Sequence, residues 1–232
     1  ALAAEKYTDG LVTPTIARAV IEAGYDRDFN LFAGNILSAL EQNPETVRML
    51  DSVTWDESTR SISLPEDVEL DFGGIAKGWA AEQAVLRLKH HGSALMNCGG
   101  DIFMSGPLLD GNPWEIGIHR PFDRSSGYIG MMYFRQPCGV ATSATDRRRW
   151  MQGEMIRHHI IDPNTGTSAQ SDVVSATIVA PTAVEAESAA KSVLIRGSEE
   201  GIAWLESNPA LAGLIMLENG KILYSQRINQ YW

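Results

Sequence analysis

The sequence predicts an α+β fold of mixed, largely antiparallel sheets with flanking helices. Three observations carry this reading. Several short apolar runs read as strands, and the last pair is joined at Asn219-Gly220, a strong hairpin signal. Residues 75–90 and 181–197 carry apolar residues at helical spacing. These helices do not alternate strictly with the strands, as a doubly wound parallel sheet would require.

Taken in order, residues 15–23 read as helical, and 36–50 continue an apolar-periodic stretch broken by "QNPE". "SISLPEDVELDF" reads as extended with a Pro-centred turn. From residue 75, Ala76, Ala80, Ala84 and Leu88, with Trp79 and Val85, recur at spacings of three and four, giving an amphipathic helix to about His90. "SALMN", "IFMSG", "WEIGIHR", "YIGMMYFR" and "VVSATIVA" read as strands. In the 181–197 helix, Ala186, Ala189, Ala190, Val193 and Leu194 form the apolar stripe, and Gly197 is the stop.

The 232 residues suffice for one domain with a sizeable core. A net charge of −10 weighs against a nucleic-acid partner, since residues 147–149 are the only basic run. The two cysteines, Cys98 and Cys138, lack C-x-x-C spacing and are expected as free thiols. No apolar run approaches the roughly 18–20 residues that span a bilayer. The first residues show no basic flank and no long apolar stretch, so no signal peptide is visible and a cytoplasmic location is expected.

Three segments carry candidate chemistry. "DFGGIAKGWA", residues 71–80, is a strand-to-helix turn. It matches neither the Walker loop, because Lys77 precedes Gly78, nor the dinucleotide G-x-G-x-x-G fingerprint. Asp71 can accept from ribose hydroxyls or a base edge, while Lys77 offers a mobile charge to phosphate. A glycine-rich helix entry with a surface lysine explains the same residues. "HHIIDPNTG", residues 158–166, combines a turn with His159, either a general base or a structural histidine. Glu187 and Lys191 stand at i, i+4, either as a helix ion pair or with Glu187 as an oxygen ligand for Mg²⁺. No G-x-S-x-G elbow and no His/Cys metal spacing is present.

"TDGLVTPTIARAVIEAGYDRDF", "LDFGGIAKGWAAEQA", "ALMNCGGDIFMSG", "GVATSATDRRRW", "HHIIDPNTG" and "VVSATIVAPTAVEAESAAKSVLIRG", in this order, resemble the FAD:protein FMN transferase (ApbE) family. The resemblance implies one α+β domain over residues 1–232, with the family's N-terminal strand not recognisable. It implies FAD binding and transfer of FMN to Ser or Thr of a flavoprotein acceptor, or hydrolysis of FAD to FMN and AMP. The alternative is a non-catalytic FAD carrier with an altered metal site. By resemblance, Asp71, Lys77, Leu11, Val12, Thr13 and Ile161 fall on FAD-contacting positions and His159 on the transfer histidine. Gly74, through its carbonyl, and Glu187 fall on positions that hold Mg²⁺. The chain departs from the family pattern at Thr13, where Asp is common, and at Ala144, where Gly is usual. It departs again at Glu187 and Lys191, which replace Asp and Thr. The Lys191 ammonium is therefore an alternative occupant of the metal's place.

Overall fold

The computed structural model describes residues 1–27, 29–31, 36–37, 46–47, 49–122 and 127–232. Helix α1 spans Leu2–Tyr7 and α2 Ala17–Glu22, followed by strands β1 (Ile36–Leu37), β2 (Thr54–Asp56) and β3 (Ser61–Ser63). Helix α3 (Ala76–Leu88) leads to β4 (Leu95–Cys98), β5 (Asp101–Met104), β6 (Trp114–His119), β7 (Tyr128–Phe134) and β8 (Cys138–Ala144). Four short strands follow: β9 (Arg149–Gln152), β10 (Met155–His158), β11 (Ile161–Asp162) and β12 (Thr167–Ser168). The chain ends with β13 (Val173–Ala180), α4 (Ala183–Arg196), α5 (Ser198–Ser207), β14 (Ala212–Leu217), β15 (Ile222–Tyr224) and a 3-10 helix. The expected mixture of helices and antiparallel strands is present. The expected pattern over residues 36–50 falls mostly outside the described residues.

The backbone divides into two compact units, one of residues 1–74 with 148–170, the other of 75–147 with 171–232. The first holds the β2–β3 and β11–β12 hairpins and a three-stranded sheet in the order β1-β9-β10. Its core gathers Ala19, Val20, Ala23, Trp150 and Ile161, and Trp150 Nε1 donates to the carbonyl of Ala23 at 3.0 Å. "SISLPEDVELDF" is a strand only over Ser61–Ser63. The Pro-centred turn behind it closes through the Val68 amide on the Pro65 carbonyl.

The second unit is built on a six-stranded antiparallel sheet, β15-β14-β13-β8-β5-β4. Every residue of β13 is buried, as a central strand covered on both faces requires. Strand alternation then sorts β5. Ile102 and Met104 join the larger core cluster with Val140, Val179 and Leu214, whereas Phe103 packs with Ala81, Val85 and Ala183 of α3 and α4. Asp101 shares the parity of Phe103 and so belongs to the helix face. Asn219-Gly220 turns the β14–β15 hairpin, with Gly220 at φ +81°. Both cysteines are free thiols, and burial pushes Cys138 up to about 12. Among the described residues no helix is long and apolar enough to cross a membrane.

The expected helices form, but of the expected α3 stripe only Val85 is fully buried. Gly78, Ala81 and Val85 face inward, while Trp79 is 58% exposed and Ala76, Ala80 and Leu88 are exposed too. The small-residue stripe is the one that lets α3 approach α4. A Cβ on Gly78 would stand 2.6 Å from the Ala183 carbonyl oxygen, and one on Gly139 of β8 would meet Ala183 N at 2.5 Å. Helix α4 starts with a capping box. Thr182 Oγ1 accepts from the Glu185 amide at 3.1 Å and Glu185 Oε2 accepts from the Thr182 amide at 3.2 Å. Such a cap contributes about 1 kcal/mol.

Within a helix Gly→Ala ordinarily stabilises; at Gly78, in the first turn of α3, the collision with backbone reverses the sign, and urea unfolding of Gly78→Ala should show a loss of about 1–3 kcal/mol. In the first unit, His158 donates from Nε2 to the Ala169 carbonyl at 2.9 Å. Burial first, then Arg149 and Arg157, pushes this imidazole below its usual 6.5. The folded state therefore resists a proton that the unfolded chain accepts. The stability this gives is complete above pH 6.5 and lost as pH falls below it, by the linkage relation. The difference between unfolding profiles of wild type and His158→Gln across that window should isolate the effect.

Candidate functional site

The second unit concentrates charge where α3, β5 and α4 meet. The hairpin β4–β5 turns through Gly99 (φ +67°) and Gly100 (φ +104°), which fits a two-residue turn needing left-handed backbone at both positions. This turn delivers Asp101 to the start of β5, beside Lys77 of the first turn of α3. From α4, Glu187 reaches the same place. Its Oε2 accepts from the Gly78 amide at 2.8 Å, one of the amides that a helix start leaves without an intrahelical partner. Its Oε1 accepts from Lys191 Nζ at 3.0 Å and lies 3.2 Å from Lys77 Nζ.

Two carboxylates and two ammoniums thus form one cluster. The acids lie deep, with side chains 3% (Asp101) and 1% (Glu187) exposed; Lys191 is 15% and Lys77 42% exposed. Burial, with the charge of Glu187, raises Asp101 to about 6 despite its ion pair. Burial also works against the charge of Glu187, but Lys191 and Lys77 outweigh it and hold the carboxyl below its usual value. Lys77 is held above its ordinary value, because Asp101 and Glu187 overcome the cost of its burial. Lys191 is pushed down by burial, which its carboxylate neighbours only partly offset.

The arrangement does not fit a divalent cation on Glu187. Both carboxylate oxygens are engaged by the backbone and by ammoniums, and the cluster is already neutral in sum. A cation bound to Oε1 at the usual ~2.1 Å would lie within about 5 Å of Lys191. At that separation repulsion is on the order of 3 kcal/mol per unit charge at an effective dielectric near 20. Among the described residues, no group of three or more His, Cys, Asp or Glu is placed to hold a metal. Gly74, the other expected ligand, is the last residue of the first unit and sits half-buried in the turn before α3.

The remaining expected residues lie in the first unit. Leu11 is half-buried, and the Val12 amide donates to the buried Thr8 hydroxyl at 3.0 Å. Thr13 shares a 2.7 Å hydroxyl contact with Thr15 and caps the 3-10 helix Pro14–Ile16. Asp71 joins this loop, its amide donating to the Pro14 carbonyl at 2.7 Å while Oδ1 accepts from the Gly73 amide at 2.6 Å. Asp71 thereby pins the turn that bears Gly73 and Gly74. Ile161 packs its side chain into the core, so what it offers a ligand is backbone. His159 is half-buried, with its ring 6.5 Å from that of Tyr25. The structure therefore gathers Leu11, Val12, Thr13 and Asp71 around one loop region, and Lys77 and Glu187 in a second group.

Asp101 lies in none of the three segments that the sequence marks for chemistry. Its signal was present: a lone carboxylate after two glycines, heading an apolar strand, must find a partner when buried.

Comparison with known proteins places these features in a lineage. A model of the ApbE family matches residues 1–215. An FAD:protein FMN transferase of Treponema pallidum is 33% identical over 172 residues, covering 69% of this chain and 47% of its own length. Another from Vibrio cholerae is 31% identical over 164 residues, covering 68% and 48%. The crystal structure of the ApbE protein of Thermotoga maritima superposes with a TM-score of 0.84 at 26% identity, over 99% of this chain and 74% of that one. The chain spans about half the length of the curated relatives it matches. With the family model running through nearly the whole sequence, the chain belongs to the ApbE family.

Proposed function

We propose that this chain is an FAD-binding flavin transferase that moves FMN from FAD to a Ser or Thr hydroxyl of a flavoprotein acceptor. The observation that carries the reading is Lys77. It is a half-exposed cation fixed from below by two buried carboxylates, at the entry of a helix whose turn has little side-chain bulk. Such a cation suits a phosphate oxygen. The names of the relatives, FAD:protein FMN transferases, supply the substrate class.

In the step proposed, the acceptor hydroxyl oxygen forms a bond to the FMN phosphorus of FAD, and the bond from that phosphorus to the AMP oxygen breaks. The hydroxyl proton passes to His159 as general base, and AMP leaves with the electron pair of the broken bond. Lys77 offsets charge that builds on the phosphates, and Asp71 accepts from the nucleotide. Leu11, Val12, Thr13 and the Ile161 backbone keep the ligand-facing roles the resemblance implies. No step is derived through a divalent cation on Glu187 and Gly74. With water in place of the hydroxyl, the same bond changes give FMN and AMP. A second reading, an FAD carrier without chemistry, is favoured by Lys191, an ammonium paired with Glu187 at the position where the family resemblance implies an oxygen ligand for a metal.

Two measurements check this. Incubation with FAD and a Ser/Thr-containing acceptor peptide should release AMP and add the mass of FMN to the peptide. AMP without adduct favours hydrolysis, and bound FAD without AMP leaves the carrier. His159→Ala should slow AMP release by about 10²–10⁴-fold while leaving FAD affinity nearly unchanged. Lys77→Met should instead weaken FAD binding by on the order of tenfold or more. An H159A variant with full activity removes His159 from the chemistry.

A further inference from the structure

We propose that Lys191 is a resident counter-cation, so that this chain binds the phosphates of its nucleotide without a divalent metal ion. The inference rests on the nucleotide reading above and deepens it, and three features of the cluster argue for it.

First, the charge is layered. The carboxylates of Asp101 and Glu187 are almost fully buried, whereas Lys191 and Lys77 are progressively more exposed. A cluster that is neutral in sum is therefore positive on its outer side, which is the side an anion meets. Second, Lys191 has donors to spare. An ammonium carries three N–H groups, and among the described residues Lys191 Nζ bonds a single acceptor, Glu187 Oε1. A largely buried ammonium with unused donors is complemented by a phosphate oxygen, which accepts and brings the opposite charge.

Third, the position is fixed rather than adaptable. Lys191 lies one helical turn beyond Glu187 on α4, and Glu187 is held from its other oxygen by the Gly78 amide. The ammonium is thus tied through Glu187 to the same helix start that carries Lys77. Two cations converge on one carboxylate oxygen, at 3.0 and 3.2 Å, and together they supply the positive charge that a metal would otherwise bring to a pyrophosphate. The tightness that makes Glu187 a poor metal ligand is what presents the two ammoniums together.

The test is binding in the absence of metal, read without any turnover. FAD and, separately, inorganic pyrophosphate are titrated into the full chain by calorimetry or thermal shift, in EDTA and in excess Mg²⁺. The expected result is affinity within about twofold in the two conditions, since a ligand-bound folded state is stabilised either way. Lys191→Gln should weaken pyrophosphate binding in EDTA by roughly tenfold or more, with Mg²⁺ restoring much of it. Lys191→Arg, which keeps the charge, should bind in EDTA. Wild-type FAD binding that requires Mg²⁺ overturns the inference and leaves the flavin reading standing, whereas pyrophosphate binding that requires Mg²⁺, with no FAD binding, overturns both. Pyrophosphate binding in EDTA without FAD binding supports the phosphate site and removes the flavin. Binding of neither ligand in either condition overturns both. The wild-type titrations decide the matter even if a Lys191 variant fails to fold.

Discussion

The carboxylate of Glu187 is the interaction on which the second unit's chemistry depends. One oxygen satisfies the Gly78 amide and the other holds Lys191 and Lys77, so a single buried side chain ties the start of α3 to the middle of α4. A buried carboxylate is costly unless its charge is neutralised and its lone pairs are filled. Both conditions are met here from three directions, and each fixes a neighbour in return. The closeness of α3 to α4 belongs to the same arrangement. Gly78 has no room for a Cβ because Ala183 and Glu187 already occupy that space.

Much of this was legible in the sequence, and what was not has physical reasons. Helix α4 was legible because its apolar stripe of Ala186, Ala189, Ala190, Val193 and Leu194 is continuous and Gly197 ends it. The β14–β15 hairpin was equally plain from Asn219-Gly220. Helix α3 forms, but of its expected apolar positions only Val85 is fully buried. It carries two stripes of small residues, and only the requirement of close packing against α4 chooses Gly78, Ala81 and Val85 over Ala76 and Ala80. Strand β8 and helix α5 were not read as elements. The small residues of "CGVATSA" do not alternate in polarity, and Cys138–Ala141 are buried on both faces of β8, while α5 has only Gly201 and Leu205 buried among its ten residues.

The site was legible in pieces. Lys77 and Glu187 stand out in their segments, and the i, i+4 pairing of Glu187 with Lys191 is one that helix geometry allows. What spacing along one helix could not disclose is that this pair is buried and shared. Lys77 comes from another helix and Asp101 from a strand, and neither distance in the sequence signals the meeting. An exposed ion pair worth a few tenths of a kcal/mol becomes, when buried and doubled, an electrostatic platform. The same group of charges then bears on two questions at once: what anion the chain holds, and which cation holds it.

The most direct test is crystallographic. Crystals grown with FAD and Mn²⁺ report manganese by its anomalous signal and show the Lys191 side chain in the same map. The account predicts Lys191 Nζ within hydrogen-bond distance of both Glu187 and a phosphate oxygen, with no anomalous peak at Glu187. A manganese peak ligated by Glu187 Oε1, with Lys191 turned away, would contradict it.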